Sequence, residues 1–132
     1  MAVFRTLIVE DHEALRALLR SLLESQTQCV VIGEASDGLQ GVEKAQELEP
    51  DLILLDLALP KLNGMEAARR IRKISPNSKI VFLSQEPAPE IVQSALRFGA
   101  GYLLKSDAQQ LPAAVHAVLE GGKFVSERLK GS

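Results

Sequence analysis

The sequence predicts an α/β fold built on a doubly wound parallel sheet of five strands. Apolar runs of strand length alternate five times with segments in which apolar residues recur every three or four positions. The runs at residues 7–9 and 52–55 are apolar at every position, which is typical of parallel strands buried on both faces. This alternation favours a sheet with helices packed on both of its faces.

The first half of the chain predicts strand, helix, strand, helix and strand. The first helix, roughly residues 13–25, carries leucines three and four positions apart, which form one apolar stripe. After a polar turn, residues 30–35 form the second strand. Ser36, Asp37 and Gly38 form the expected cap and turn before the second helix, which Pro50 closes. The third strand runs over residues 51–56.

The second half continues the alternation. A loop dense in breakers precedes a third helix built on Ala67, Ala68, Ile71 and Ile74, and residues 79–84 form the fourth strand. The fourth helix carries residues 91–96 and the short fifth strand is residues 101–104. The last helix, about residues 108–120, stops at two glycines. We therefore expect a flavodoxin-like (βα)5 arrangement with strand order 2-1-3-4-5.

Composition indicates one compact domain. With 46% apolar and 24% charged residues, the chain can bury one core. Its length of 132 residues is too short for two ordinary domains. A net charge of -2 argues against direct contact with nucleic acid, so the basic residues at 69–73 are interpreted as a solvated helix face. Cys29 is the only cysteine, which suits a reducing cytosol. The N-terminus does not resemble a signal peptide, and no apolar segment has membrane length. We therefore expect a cytoplasmic protein without membrane contact.

Three carboxylates stand where two predicted strands end. Glu10 and Asp11 follow the first strand, and Asp56 ends the third. Like charges a few ångströms apart repel by roughly 4 kcal/mol at an effective dielectric near 20, so the cluster needs a cation, and Mg²⁺ suits such ligands. Ser84 ends the fourth predicted strand and Lys105 comes directly after the fifth, so both lie at the same edge of the sheet. Doubly wound folds bind ligands at this edge. A metal beside a reactive carboxylate is a site for a phosphoryl group.

The motifs that carry a family resemblance are LIVEDHEALR, EASDGLQGVEKAQELEPDLILLDLALPKLNG, IVFLSQ and ALRFGAGYLLKSD. In this order and spacing, from about Phe4 to Gly122, the chain resembles the receiver domain of a bacterial two-component response regulator. The segment GYLLKSDAQQLPAAVHAVLEGGKFVS resembles the NarL/FixJ (LuxR-type) subfamily, in which the receiver precedes a DNA-binding helix-turn-helix. Residues 1–122 would form the receiver domain, and residues 123–132 a C-terminal extension or truncated linker.

The resemblance implies a switch rather than an enzyme, phosphorylated on Asp56 by a sensor histidine kinase or phosphotransfer protein. Ser84 would hydrogen-bond the phosphoryl group, Lys105 would pair with it, and Tyr102 would be an aromatic that moves inward. The switch would pass its signal on by forming a homodimer or by acting on a C-terminal DNA-binding domain absent from this chain. The implied Mg²⁺ ligands are Glu10, Asp11, Asp56 and the backbone carbonyl of Ala58. These roles suit phosphoryl transfer, which requires mainly positioning and charge stabilisation.

The same residues allow other interpretations. Asp56 and Asp11 could be ordinary strand-end acids, and Tyr102 a half-buried aromatic on an edge strand. One imidazole, His12, beside two acids does not make a transition-metal site. A flavin carrier is disfavoured because Glu10 and Asp11 would repel its phosphate. An aspartate-nucleophile phosphatase would need a second acid two residues beyond its nucleophile, where this chain has Ala58. A phosphorylation-independent binding module therefore remains the main alternative.

Gln85 and Ser106 depart from the usual receiver pattern, and two prolines follow Gln85. Gln85 stands where a small residue commonly follows the hydroxyl, so it is expected to modulate access to the site. Pro87 and Pro89 should restrict the loop after the fourth strand. Ser106 replaces the proline that often follows the lysine, so a trans peptide bond is expected there.

Overall fold

A computed structural model describes residues 2–85, 88–126 and 129 of the chain. Six strands are present in the described part: β1 Phe4–Val9, β2 Cys29–Ala35, β3 Leu52–Asp56, β4 Lys79–Ser84, β5 Gly101–Leu104 and β6 Phe124–Val125. The helices are α1 Glu13–Gln26, α2 Gly38–Leu48, α3 Gly64–Ile74, α4 Pro89–Ala95 and α5 Leu111–Leu119, with a 3₁₀ segment at Lys105–Gln110. The strands are parallel and form one sheet in the order β2-β1-β3-β4-β5-β6. The predicted fold class and strand order are confirmed.

Helices cover both faces of the sheet, which explains the uniformly apolar strands. Helices α1 and α5 pack on one face, and α2, α3 and α4 pack on the other. Along β1, Leu7 and Val9 enter the core beneath α2, α3 and α4, whereas Ile8 enters the core beneath α1 and α5. All three side chains are fully buried. Because neither face of the sheet meets water here, the buried part of a central strand such as β1 shows no polar alternation.

The register between β1 and β3 brings their acidic ends together. Val9 is paired with Leu55, so continuing the register by one residue sets Glu10 beside Asp56. The strand order reverses at this pair, because β2 lies on one side of β1 and the later strands lie beyond β3. Ligand sites of doubly wound sheets form at this reversal, outside the carboxyl ends of the strands.

The sheet is wider than the five strands predicted. Phe124 and Val125 pair in parallel with Gly101 and Tyr102 as β6. A strand of two residues is too short to show a period, so no pattern in the sequence predicted it. Since β6 covers β5, the interpretation of Tyr102 as a half-buried residue on an edge strand was wrong, and the ring is fully buried.

Two helices differ from their predicted limits. Helix α5 begins at Leu111 rather than near Ala108, because residues 105–110 form a 3₁₀ segment with a kink at Asp107. Pro112 lies in the first turn of α5, where a missing N–H costs little and a fixed φ favours initiation. Helix α4 ends at Ala95, so Leu96, which was predicted to belong to it, lies outside the helix. It begins at Pro89, so this proline starts a helix instead of restricting a loop, while Pro87 lies outside the described residues.

The basic run of α3 is only partly solvated. Arg69, Arg70 and Lys73 are exposed as expected. Arg72 is half-buried and donates hydrogen bonds to the backbone carbonyls of Pro76 and Ser78. Burial lowers the pKa of Arg72. Its interpretation as part of a solvated face was therefore wrong, and it fastens the end of α3 to the turn before β4.

No helix in the described ranges combines the length and the apolar character needed to cross a bilayer.

Candidate functional site

The acidic strand ends open into a crevice of about 390 Å³ at the carboxyl edge of the sheet. Four strands contribute to this region, because β1, β3, β4 and β5 all end there. The residues lining the crevice are His12, Asp56, Leu57, Ala58, Met65, Ser84, Gln85, Ile91 and Lys105. The structure thus brings Asp56, Ser84 and Lys105 together, although long stretches of sequence separate them.

Asp56 is the last residue of β3 and is 1% exposed. Its Oδ1 accepts a hydrogen bond from the backbone N–H of Ala58 at 3.0 Å. Its Oδ2 lies 3.0 Å from Nζ of Lys105. A carboxylate with both oxygens engaged is held in one orientation, with its oxygens beside a crevice that a ligand can enter.

Lys105 follows β5 and bridges two buried acids. Its Nζ lies 3.0 Å from Glu10 Oε1 and 3.0 Å from Asp56 Oδ2. Burial of the ammonium lowers the pKa of Lys105. The hydrogen bonds that it donates to Asp56 and Glu10, together with the negative charges of these two acids, outweigh burial and raise the pKa overall. The contribution of this lysine to stability is therefore complete below about pH 10.4 and is lost as the pH rises through its higher folded-state pKa.

Glu10, Asp11, His12 and Asp56 form a group that could hold a metal ion. Each offers one ligand atom, and these atoms lie within 4.8 Å of one another. Oε1 of Glu10 and Oδ1 of Asp11 are buried, and each lies near one nitrogen of the group, at 3.0 Å from Lys105 Nζ and 3.3 Å from His12 Nδ1 respectively. Lys105 supplies one positive charge to three acids. The carboxylate oxygens and the remaining negative charge fit a hard cation such as Mg²⁺.

His12 was given no role from the sequence, yet it lies against the acids. Its backbone N–H donates to Glu10 Oε2 at 3.0 Å, and its ring Nδ1 lies 3.0 Å from the same oxygen. Nδ1 is also 3.3 Å from Oδ1 of Asp11. The imidazole is largely exposed, so it forms the solvent side of the acidic group. No sequence period marks this contact, because it depends on the turn between β1 and α1.

Arg16 is a second residue that sequence reasoning missed. Its guanidinium donates to the backbone carbonyl of Glu10 at 2.8 Å and to Glu34 Oε1 at 2.8 Å. Arg20 reaches the other oxygen of Glu34 at 2.6 Å. The pair ties α1 to β2 and to the acidic end of β1. On the sequence alone these residues belong to the polar face of a helix, which gives no sign of a supporting role.

The remaining predicted residues have distinct environments. Ser84 ends β4 and is 3% exposed, whereas Gln85 and Ala58 are exposed at the crevice. Tyr102 is buried in the core on β5, the strand next to β4, which carries Ser84. His116 is exposed on α5, with Nε2 3.9 Å from Glu120 Oε1. The peptide bond between Lys105 and Ser106 is trans, as expected.

Comparison with known proteins agrees with this architecture. The sequence model described as "Response regulator receiver domain" matches residues 6–116. The chain belongs to the response regulator receiver family. This receiver is 42% identical over 125 residues to the nitrate/nitrite response regulator protein NarL of Escherichia coli (strain K12), covering 93% of this chain and 58% of NarL.

Two further similarities support membership of the subfamily predicted from the C-terminal motif. The transcriptional regulatory protein LiaR of Bacillus subtilis (strain 168) is 37% identical over 131 residues, covering 98% of this chain and 62% of LiaR. A crystal structure of a LuxR-family two-component response regulator from Aurantimonas sp. SI85-9A1 superimposes with a TM-score of 0.90 at 29% identity, covering 97% of this chain and 93% of that one. This receiver therefore spans about three fifths of the length of these two curated regulators.

Proposed function

We propose that this receiver is a phosphorylation-dependent switch that accepts a phosphoryl group on Asp56 from a histidine kinase or phosphotransfer protein. The observation that carries the proposal is the contact of Asp56 with Lys105 at 3.0 Å beside the acidic group of Glu10 and Asp11. A fixed carboxylate at the wall of a crevice can attack phosphorus in line. The neighbouring ammonium can neutralise a phosphoryl oxygen.

The metal that suits this site would be held by Glu10, Asp11, Asp56 and the carbonyl of Ala58. When bound, Mg²⁺ would supply positive charge that offsets the charge of the phosphoryl oxygens. The Ser84 hydroxyl would donate a hydrogen bond to one of these oxygens. Lys105 would exchange part of its contact with the carboxylates for contact with another oxygen, while Ala58 N–H keeps its hold on Asp56.

The product is an acyl phosphate with nearly two negative charges, which can bias a neighbouring bistable element. We infer that the signal reaches the face formed by α4, β5 and α5, where Tyr102 lies. It would pass to a second copy of the receiver or to a C-terminal DNA-binding domain. A nearly complete shift, from 1:99 to 99:1, needs about 5.5 kcal/mol of differential stabilisation. The alternative is a receiver that binds partners without phosphorylation.

Tyrosine fluorescence can separate the switch from the phosphorylation-independent module. The chain has one tyrosine, Tyr102, and no tryptophan, so the signal reports one buried position. We expect acetyl phosphate with Mg²⁺ to change the intensity or quenching of this fluorescence, and EDTA to prevent the change. The Asp56→Asn variant under the same conditions is the control. Full phosphorylation with unaltered fluorescence and unaltered backbone amide shifts in α4 and α5 would favour the module.

Gln85 offers a test of access to the acceptor. Its exposed side chain lines the crevice next to Ser84, so its amide occupies space that a donor must cross. We expect Gln85→Ala to speed labelling by acetyl phosphate about tenfold, which corresponds to only ~1.4 kcal/mol of barrier. The measurement is the initial rate at saturating Mg²⁺. Gln93→Ala is a matched control, because Gln93 is an exposed glutamine that does not line the crevice. An unchanged or slower rate in Gln85→Ala would remove its role in access.

A further inference from the structure

One wall of the crevice is apolar. Leu57, Met65 and Ile91 line the same space as the reactive groups Asp56 and Lys105. All three apolar side chains are partly buried and pack on the core beneath α2, α3 and α4. Each therefore presents part of its surface to the crevice while its remaining surface is held by the core. We call these three residues the apolar wall.

Backbone contacts fix the position of the apolar wall relative to the acceptor. The N–H of Gly64 donates to the Leu57 carbonyl at 3.0 Å, which ties the start of α3 to the residue after Asp56. A Cβ on Gly64 would come within 2.1 Å of the Asp56 carbonyl oxygen, so α3 approaches β3 as closely as only glycine permits. Met65 is the next residue and is held at the acceptor. Ile91 sits in the first turn of α4, where its N–H donates to the Ala88 carbonyl at 3.0 Å.

The crevice is larger than the group that the acceptor receives. At about 30 Å³ for each water-sized group, a phosphoryl group fills roughly 100 Å³. The crevice has about 390 Å³, which falls in the range of small-ligand sites, roughly 300–1,000 Å³. The remaining space borders the apolar wall, so its preferred occupant has an apolar face attached to the phosphoryl group.

We propose that the apolar wall receives the imidazole ring of the phosphodonor and makes the acceptor prefer N-phosphorylated imidazoles to donors without a ring. This inference rests on the proposed function, in which the donor is a phosphohistidine. An Asp56 oxygen forms the O–P bond as the P–N bond breaks, and the electron pair of that bond stays on the ring nitrogen. In the donor that reacts, the second ring nitrogen is protonated, so the ring is positively charged until the P–N bond breaks, and it then leaves as neutral imidazole. An apolar surface accommodates the neutral ring better than the cation, so the apolar wall favours the state in which this bond is broken.

The experiment compares two donors that share a P–N bond and differ in the ring, phosphoimidazole and phosphoramidate. The measured quantity is the ratio of their initial labelling rates at saturating Mg²⁺. We expect Met65→Ala and Ile91→Ala each to lower this ratio about five- to tenfold, a typical loss for removing apolar contacts from a pocket. Met65→Leu should largely restore it. Val92→Ala is the matched control, because Val92 also packs on this core from α4 but does not line the crevice.

The outcomes separate this inference from the proposed function. If both donors label every variant and the ratio stays at the wild-type value in Met65→Ala and Ile91→Ala, the apolar wall does not select the ring, and the acceptor role of Asp56 stands. If neither donor labels the wild-type receiver, both proposals fail. Thermal unfolding of each variant checks that it is folded. Should Met65→Ala unfold, Met65→Gln and Ile91→Val test the same ratio with smaller changes.

Discussion

Lys105→Met is expected to destabilise the receiver by about 3 kcal/mol in the absence of Mg²⁺. Removing one partner of a buried ion pair leaves an uncompensated charge and costs about 3–5 kcal/mol. Here the lost ammonium faces two acids, Glu10 and Asp56, which are 0% and 1% exposed. The lysine itself retains about 10% exposure, which places the expected cost at the lower end. Methionine preserves most of the apolar stem, so the effect reports the charge.

Urea unfolding of both proteins at neutral pH measures this difference. Saturating Mg²⁺ should recover more stability in Lys105→Met than in the wild-type receiver, because a bound cation replaces the lost charge. Lys79→Met is a suitable control, since Lys79 is exposed at the start of β4 and forms no ion pair within the described residues. A loss below about 1 kcal/mol, or the same loss in Lys79→Met, would show that Lys105 does not balance the acids.

Asp56→Asn is expected to abolish phosphorylation of the receiver while leaving it folded. The amide keeps an oxygen that can accept the Ala58 N–H, and Lys105 keeps its contact with Glu10. An amide is not nucleophilic enough to form an acyl phosphate, so labelling should fall by more than a hundredfold, which corresponds to more than about 2.7 kcal/mol of barrier. Thermal stability should equal or exceed the wild-type value, because one of two acids on a single ammonium has been neutralised.

Labelling of this variant is followed with a radioactive small phosphodonor and Mg²⁺, beside wild type and Asp51→Asn. Asp51 is an exposed acid at the start of β3, remote from the crevice lining, so its substitution should leave labelling unchanged. Undiminished, hydroxylamine-sensitive labelling of Asp56→Asn would exclude Asp56 as the acceptor. Aggregation of Asp56→Asn would instead contradict the expected stability.

The sequence predicted the fold because its strands are buried on both faces. Such strands are continuous apolar runs, and the acids that end them stand out against that background. Residues 79–84 and 101–104 form strands with the predicted limits. The two-residue β6 and the 3₁₀ segment before α5 were missed because neither shows a period, and because the backbone geometry around Pro112 decides where α5 starts.

The site was predictable where a residue's position in the strand pattern carries the information. Glu10, Asp56, Ser84 and Lys105 all follow from the ends of strands in a parallel sheet. Contacts made by turns and helix faces were not predictable. His12 reaches Glu10 through the β1–α1 turn, and Met65 enters the crevice only because Gly64 packs on β3. In the sequence, Met65 is indistinguishable from an ordinary core residue of an amphipathic helix.

Mapping the phosphoryl group in the wild-type receiver tests directly whether Asp56 is the acceptor. After reaction with acetyl phosphate and Mg²⁺, borohydride reduction converts an aspartyl phosphate to homoserine, which mass spectrometry locates by peptide. We expect homoserine at position 56 alone, and none when EDTA removes the metal. Homoserine at another position, or stable phosphorylation of a serine instead, would contradict Asp56 as the acceptor of this receiver.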